Sequence, residues 1–346
     1  MAVDPISWTI FRLATGFCVA GLYLVVESWL NGRTGNEERG SVLSAYFFVN
    51  LGGVAIGQQF LQFADPRSFE LFMIASLLVS MAILPVGVTL TEAPSPTRTS
   101  SFKIRSLFGV SPFALIGAAC AGIANGAFWG LAPSYGVLVG AQPAEIATTL
   151  TVTVLGGAAL QLPLGRLSDL FDRRSVMAAA NAALAFVCLM IAASEPEIGA
   201  LGLTIAFLFG GLLLTQYSLC VAHANDHVDD GDYVQMASAL LLVFGFSAAL
   251  GPLLGAAAMQ GFGPGALFIV VAAASAVSAA YAVWRMSRRA APETDAESGF
   301  VPMPAALSPS LLPLNEAALE GIDEAAGFAS VSVDEPEADA RGASTS

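Results

Sequence analysis

Long apolar runs, separated by short polar or Gly/Pro-bearing segments, set the pattern of this chain up to about residue 285. Nine such runs are present, at 8–30, 41–63, 69–90, 112–138, 144–165, 175–194, 198–222, 234–258 and 263–285. A helix needs about 20 apolar residues to cross the hydrocarbon of a bilayer. Backbone groups in lipid must be satisfied internally, so each crossing is a helix or a strand of a closed barrel. The runs are rich in Ala, Leu and Gly and show no two-residue alternation, which rules out the barrel. The pattern therefore predicts an all-α integral membrane protein, a bundle with nine transmembrane helices.

Composition agrees. Of 346 residues, 55% are hydrophobic and only 12% charged, against about a quarter charged in soluble domains. The net charge of −13 is unevenly placed, because 11 of the 27 carboxylates follow residue 290 in a Pro/Ala/Ser/Glu-rich stretch. Segment 286–346 is expected to be a disordered, acidic cytoplasmic tail. It offers no basis for nucleic-acid binding. Cys18, Cys120, Cys188 and Cys220 all lie in apolar runs and read as small hydrophobes, not as a disulfide framework or metal cluster.

Basic residues orient the chain. One set of loops carries Arg33, Arg39, Arg98, Lys103, Arg105, Arg166, Arg173, Arg174, Arg285, Arg288 and Arg289; the opposite set carries Arg67. The basic loops are expected to be cytoplasmic, with the C-terminus inside. Nine crossings then place the start outside. With no basic, cleavable signal segment at Met1, this predicts that spans are missing before it.

An internal repeat sharpens that expectation. At an offset of 194 residues, Gly16 aligns with Gly210, Tyr23 with Tyr217, Asn31 with Asn225, Ser44 with Ser238, Ala45 with Ala239, Val49 with Val243 and Gly57 with Gly251. The first two runs thus match the seventh and eighth, six spans apart and in the same orientation. Two parallel six-span halves are one established transporter architecture. Segment 112–285 would be a complete six-helix half, 1–90 the remnant of the other, and 91–111 the cytoplasmic linker between them. Three spans, roughly 80 residues, would be absent.

The loop between the fifth and sixth runs reads G165-R-L-S-D169-L-F-D172-R173-R174. It resembles the loop signature of the major facilitator superfamily, G-x-L-a-D-r-x-G-R-[KR], in its second copy between spans eight and nine; Asp172 stands where the signature has Gly. The stretch F11-R12-L-A-T-G16-F-C-V-A20 resembles the span-four pattern R-x-x-x-G-x-x-x-[GA]. Residues 220–227, CVAHANDH, with ESWLN at 27–31 in the other half, are similar to the uncharacterised bacterial YcaD-like branch. The resemblance covers about residues 5–290 and implies nine of twelve helices of a facilitator-type bundle, N-terminally truncated.

It also implies roles. Gly165 would allow a tight exit from its span. Asp169, with Arg173 and Arg174, would latch the loop to the start of the second run near Ser41 and Ser44, where helix amides favour a carboxylate. The alternative is that the arginines merely enforce topology. Glu27 and Arg12 are the intramembrane charges. Glu27 is expected to pair structurally in preference to relaying protons. Arg12, costing at least ~3 kcal/mol at a helix centre unless paired or hydrated, should face the bundle interior, where it either binds an anionic group or bonds backbone carbonyls. Asn125 and Trp129, with Gln216 and Tyr217, are candidate substrate contacts. Gly122, Gly126 and Gly130 mark close helix packing. His223, Asp226 and His227 have metal-like spacing, but with Asn225 they read better as a cytoplasmic helix end, and no metal is expected.

The function expected is secondary active transport of a small solute across the cytoplasmic membrane by alternating access, coupled to protons. No phosphate-binding loop, cofactor or enzymatic cluster is evident. A non-transporting receptor or scaffold is the alternative, as is an inactive truncated chain; the nine-span form is expected not to transport. The partners expected are the lipid bilayer, the solute and protons, with the protein a monomer.

Overall fold

The structure is a computed structural model that describes residues 4–33, 36–64, 69–88, 111–194, 199–226 and 233–288. Among these there is no strand. Nine long helices are present: α1 (Pro5–Arg33), α2 (Asn36–Gln59), α3 (Glu70–Val88), α4 (Pro112–Leu138), α5 (Pro143–Leu170), α6 (Arg173–Ser194), α7 (Ala200–Asn225), α8 (Tyr233–Phe262) and α9 (Ala266–Arg288). A 3₁₀ turn, Phe60–Gln62, extends α2. Each apolar run coincides with one helix. By length and composition, seven of them, α3 to α9, can cross a bilayer. In α1 the apolar part is shorter, Thr9–Tyr23. α2 is diluted by its charged start at Glu37, Glu38 and Arg39, by Asn50, Gln58 and Gln59, and by glycines. The expected linker and tail lie, apart from Ser111 and residues 286–288, outside the described residues.

Local chemistry sets the helix ends. Ser111 caps α4 by accepting the Ala114 N–H at 3.4 Å, and Pro112 follows at the first helical position. α4 ends where Gly140 takes a left-handed backbone, φ +81, and the Ala141 N–H returns to the Gly136 carbonyl at 2.9 Å. α5 then opens on a capping box, in which the Gln142 N–H donates to Glu145 Oε2 at 2.7 Å.

Helices α4 to α9 pack as one unit whose main contacts are α4 on α8, α5 on α7 and α6 on α9. These pairings map onto themselves when α4–α5–α6 is exchanged with α7–α8–α9. The two trios run in opposite directions, so the unit is an inverted repeat. Glycines set its crossings. Gly122, Gly126 and Gly130 of α4 face Phe244, Ala248 and Pro252 of α8, both rows at four-residue spacing. At the other crossing Gly156 meets the Phe207 carbonyl and Gly210 meets the Thr153 carbonyl. Backbones touch there because no side chain intervenes, the small-residue packing used in lipid.

The core lies along these crossings, with Phe128, Leu184, Phe209, Leu213 and Leu267 buried. Large apolar side chains such as Phe186, Leu201, Phe246 and Leu253 point outward, as a lipid-facing surface requires. α1–α3 join the unit through α2. Gln59 Nε2 donates to Thr151 Oγ1 and, at 3.4 Å, to the Ala147 carbonyl; Thr151 Oγ1 donates to the Ala55 carbonyl at 3.3 Å. α1 is tied to α2 by Asn50 Nδ2 donating to the Tyr23 hydroxyl at 2.9 Å. α3 has no buried residue.

Candidate functional site

The signature loop is shorter than its sequence suggests. α5 runs through Gly165 to Leu170, so Gly165 is buried inside the helix and is not its exit. Its carbonyl accepts from Ser168 Oγ at 2.7 Å. Asp169 sits in the last turn of α5 instead of in a loop. Only Phe171 and Asp172 separate α5 from α6. Asp172, at the position where the signature has Gly, is the N-cap of α6: its Oδ1 accepts the Arg174 N–H at 3.2 Å and pairs with Arg174 Nε at 3.3 Å. The sequence signal was available, a carboxylate just before a helical run.

Arg173 organises this end. It is 7% exposed. Its Nη2 lies 3.0 Å from Asp169 on α5, and its Nε lies 2.7 Å from Asp226 at the end of α7. One guanidinium thus carries ion pairs to two carboxylates and links the ends of three helices. Beside it His223 is buried and meets Phe113 of α4 edge to face at 4.8 Å. The metal-like spacing therefore separates: Asp226 turns to Arg173 and His223 to an aromatic ring. The side chain of Asn225 and all of His227 lie outside the described residues.

The expected latch target, near Ser41 and Ser44, falls inside the second helix. α2 begins at Asn36, five residues before Ser41, so the open amides of its first turn precede Ser41 and Ser44. The side chains of both serines, and of Glu27 on α1, lie outside the described residues. Arg12 is exposed, on a stretch of α1 that is exposed from Thr9 to Leu22.

The four mid-bundle candidates divide. Asn125 is buried and bridges helices, its Nδ2 donating to the Ala121 carbonyl at 2.9 Å and the Leu213 carbonyl of α7 at 3.4 Å. Tyr217 is 2% exposed and packs at a tilt against Phe244, ring centroids 4.8 Å apart, within an apolar cluster that includes Ala114 and Met236. Trp129 is half-buried and packs on Phe128 at 5.2 Å. Gln216 differs: its Nε2 is buried without a hydrogen-bond partner. Gln161 Nε2 donates to Ser218 Oγ at 3.0 Å, a polar α5–α7 contact that sequence reading missed.

A cavity of about 480 Å³ lies at the end of the unit remote from Arg173, among the C-terminal part of α4, the N-terminal part of α5 and the start of α7. Phe128, Tyr135, Phe209 and Phe268 line it with Glu145, Thr149 and Thr153. None of the expected contact residues borders it.

The sequence matches the Major Facilitator Superfamily over residues 114–321. It is 30% identical over 276 residues to the "Uncharacterized MFS-type transporter YcaD" of Escherichia coli O45:K1 (strain S88 / ExPEC), covering 78% of this chain and 70% of that protein. The same-named protein of Escherichia coli O81 (strain ED1a) matches to the same extent. No solved structure matches. The helical signature, the inverted repeat and these matches agree that the chain is a multi-pass membrane protein belonging to the major facilitator superfamily.

Proposed function

We propose that the chain is a secondary active transporter that moves a small solute across the cytoplasmic membrane by alternating access, coupled to protons, as a monomer. The basic loops and the C-terminus face the cytoplasm. The observation that carries the reading is the pair of glycine-tight crossings, α4 on α8 and α5 on α7, that join two inverted three-helix repeats. Bare backbones in contact lock α4–α9 into one body, the rigid half that rocking of two halves requires.

In this reading α1–α3 belong to the opposite half-bundle, and α2 against α5 is the contact on which the halves rock. The Asp169–Arg173–Asp226 cluster holds the cytoplasmic end of the six-helix half together. Asp169 exchanges between Arg173 and the N-terminus of α2 as that end opens and closes. Gln216 offers the solute a buried N–H donor at mid-bundle that has no hydrogen-bond partner within the described residues.

The test is reconstitution into liposomes loaded with a pH-sensitive dye. A panel of small solutes is added under an imposed pH gradient. Solute-evoked proton flux that is lost in Gln216→Leu supports the proposal. Uptake of a solute without proton movement would refute coupling, and silence across the panel would refute transport by this chain.

A further inference from the structure

We propose that the cavity at the end of the bundle remote from Arg173 is a binding site for a small organic cation, an aromatic or quaternary amine. It is separate from the mid-bundle position of Gln216.

The two walls of the cavity carry different chemistry. One is a face of α5 on which Glu145, Thr149 and Thr153 recur every four residues, so that all three point the same way. Among the described residues that line the cavity, Glu145 is the one ionisable group apart from the Tyr135 phenol, and none is Lys, Arg or His. Its Oε2 accepts the Gln142 N–H, but an ionised carboxylate accepts about four hydrogen bonds, so most of its capacity remains. Thr149 Oγ1 is buried without a partner. Thr153 Oγ1, by contrast, is turned back onto the Thr149 carbonyl at 2.8 Å.

The facing wall is aromatic. Phe128 and Phe209 have ring centroids 4.7 Å apart, Phe209 and Phe268 5.7 Å, and Tyr135 and Phe268 4.9 Å. The last two pairs are edge to face, so successive rings present faces in different directions. A cation within about 6 Å of such a face is attracted to its negative quadrupole, more so when water is excluded.

A volume of about 480 Å³ falls within the range of sites for drug-sized molecules, about 300–1,000 Å³. An anion would meet Glu145 with no counter-charge among the described lining residues. An acyl chain would fill the aromatic wall but leave the carboxylate and the Thr149 hydroxyl unmatched, at a desolvation cost. A sugar would find three polar side chains against four rings. A cation with an apolar body satisfies both walls.

The experiment is equilibrium binding of labelled phenyltrimethylammonium to the purified chain in a neutral detergent. It does not require transport, so it fails or succeeds independently of the proposed function. tert-Butylbenzene, the uncharged isostere, serves as competitor. Glu145→Gln removes the charge but preserves the capping box, which accepts Glu or Gln at this position. The expected results are saturable binding, displacement by excess unlabelled cation but not by tert-butylbenzene, about tenfold weaker binding in Glu145→Gln, and a several-fold loss in Phe209→Leu. Equal competition by the isostere, unchanged affinity in Glu145→Gln with an unaltered melting profile, or no saturable binding would each overturn the proposal. The first of these would identify an apolar cavity for lipid or detergent.

Discussion

Replacing one glycine by alanine should have opposite signs at two positions of the same bundle. Alanine is about 1 kcal/mol better than glycine inside a helix. At Gly245 of α8 an added Cβ would meet nothing within 4 Å, so Gly245→Ala should stabilise by about 0.5–1 kcal/mol. At Gly126 of α4 the same Cβ would run into the carbonyl group of Ala248. Real Cβ atoms do not come within 3.0 Å of another heavy atom, so the α4–α8 crossing must open by on the order of 1 Å, forfeiting up to half the dispersion energy of atoms along the seam. Overpacking of this kind costs about 1–3 kcal/mol. Less the propensity gain, Gly126→Ala should destabilise by up to about 2 kcal/mol; the gain is common to both variants, so the swing between them is the overpacking cost, about 1–3 kcal/mol. Unfolding by sodium dodecyl sulfate in mixed micelles, followed by far-UV circular dichroism, measures both. If Gly126→Ala is as stable as Gly245→Ala, the crossing is not as close as described and the two-trio account of the unit fails.

Arg173→Gln strips the counter-ion from Asp169 and Asp226 and should cost about 1–3 kcal/mol in the same unfolding assay; Arg166→Gln, at an exposed position, should stay within about 0.5 kcal/mol. An equal effect of the two would mean that the three-helix ion cluster does not form. Of the four cysteines only Cys18 is exposed, so N-ethylmaleimide should add once to the folded protein by intact mass and four times after denaturation; rapid multiple addition to the folded form would contradict the packing of α4, α6 and α7. Asn125→Leu removes the side-chain tie from α4 to the Leu213 carbonyl and should lower stability by about 1 kcal/mol. A variant that binds solute more weakly with unchanged stability would return Asn125 to the role of a substrate contact.

Much of the fold was legible because a bilayer leaves a chain few options. Runs of about 20 apolar residues have to be helices, and all nine lie in helices. Their ends were read less well. α5 continues five residues past Gly165 because Arg166, Ser168 and Asp169, polar though they are, prolong a helix at the membrane margin as readily as apolar residues do. Asp172 could have been recognised as a helix cap, since the signal is local. The partners of Arg173 could not: Asp226 lies on another helix, 53 positions away by subtraction of the two residue numbers. His223 shows how spacing alone can suggest a site that packing does not build. Its spacing to Asp226 and His227 resembles a metal site on paper, yet the ring is taken up by Phe113.

The sequence by itself determined the class of the protein, its helical runs and its superfamily, because those depend on hydrophobic length and short motifs. Tertiary structure alone decided which faces of the helices are inside. In water a helix advertises its buried face by being apolar on one side. Here lipid and core are equally apolar, and Gly126 and Gly245 sit in indistinguishable Ala/Leu/Gly-rich surroundings. That one touches a backbone and the other faces open space follows from close packing between helices, which leaves no hydrophobic signature in the chain.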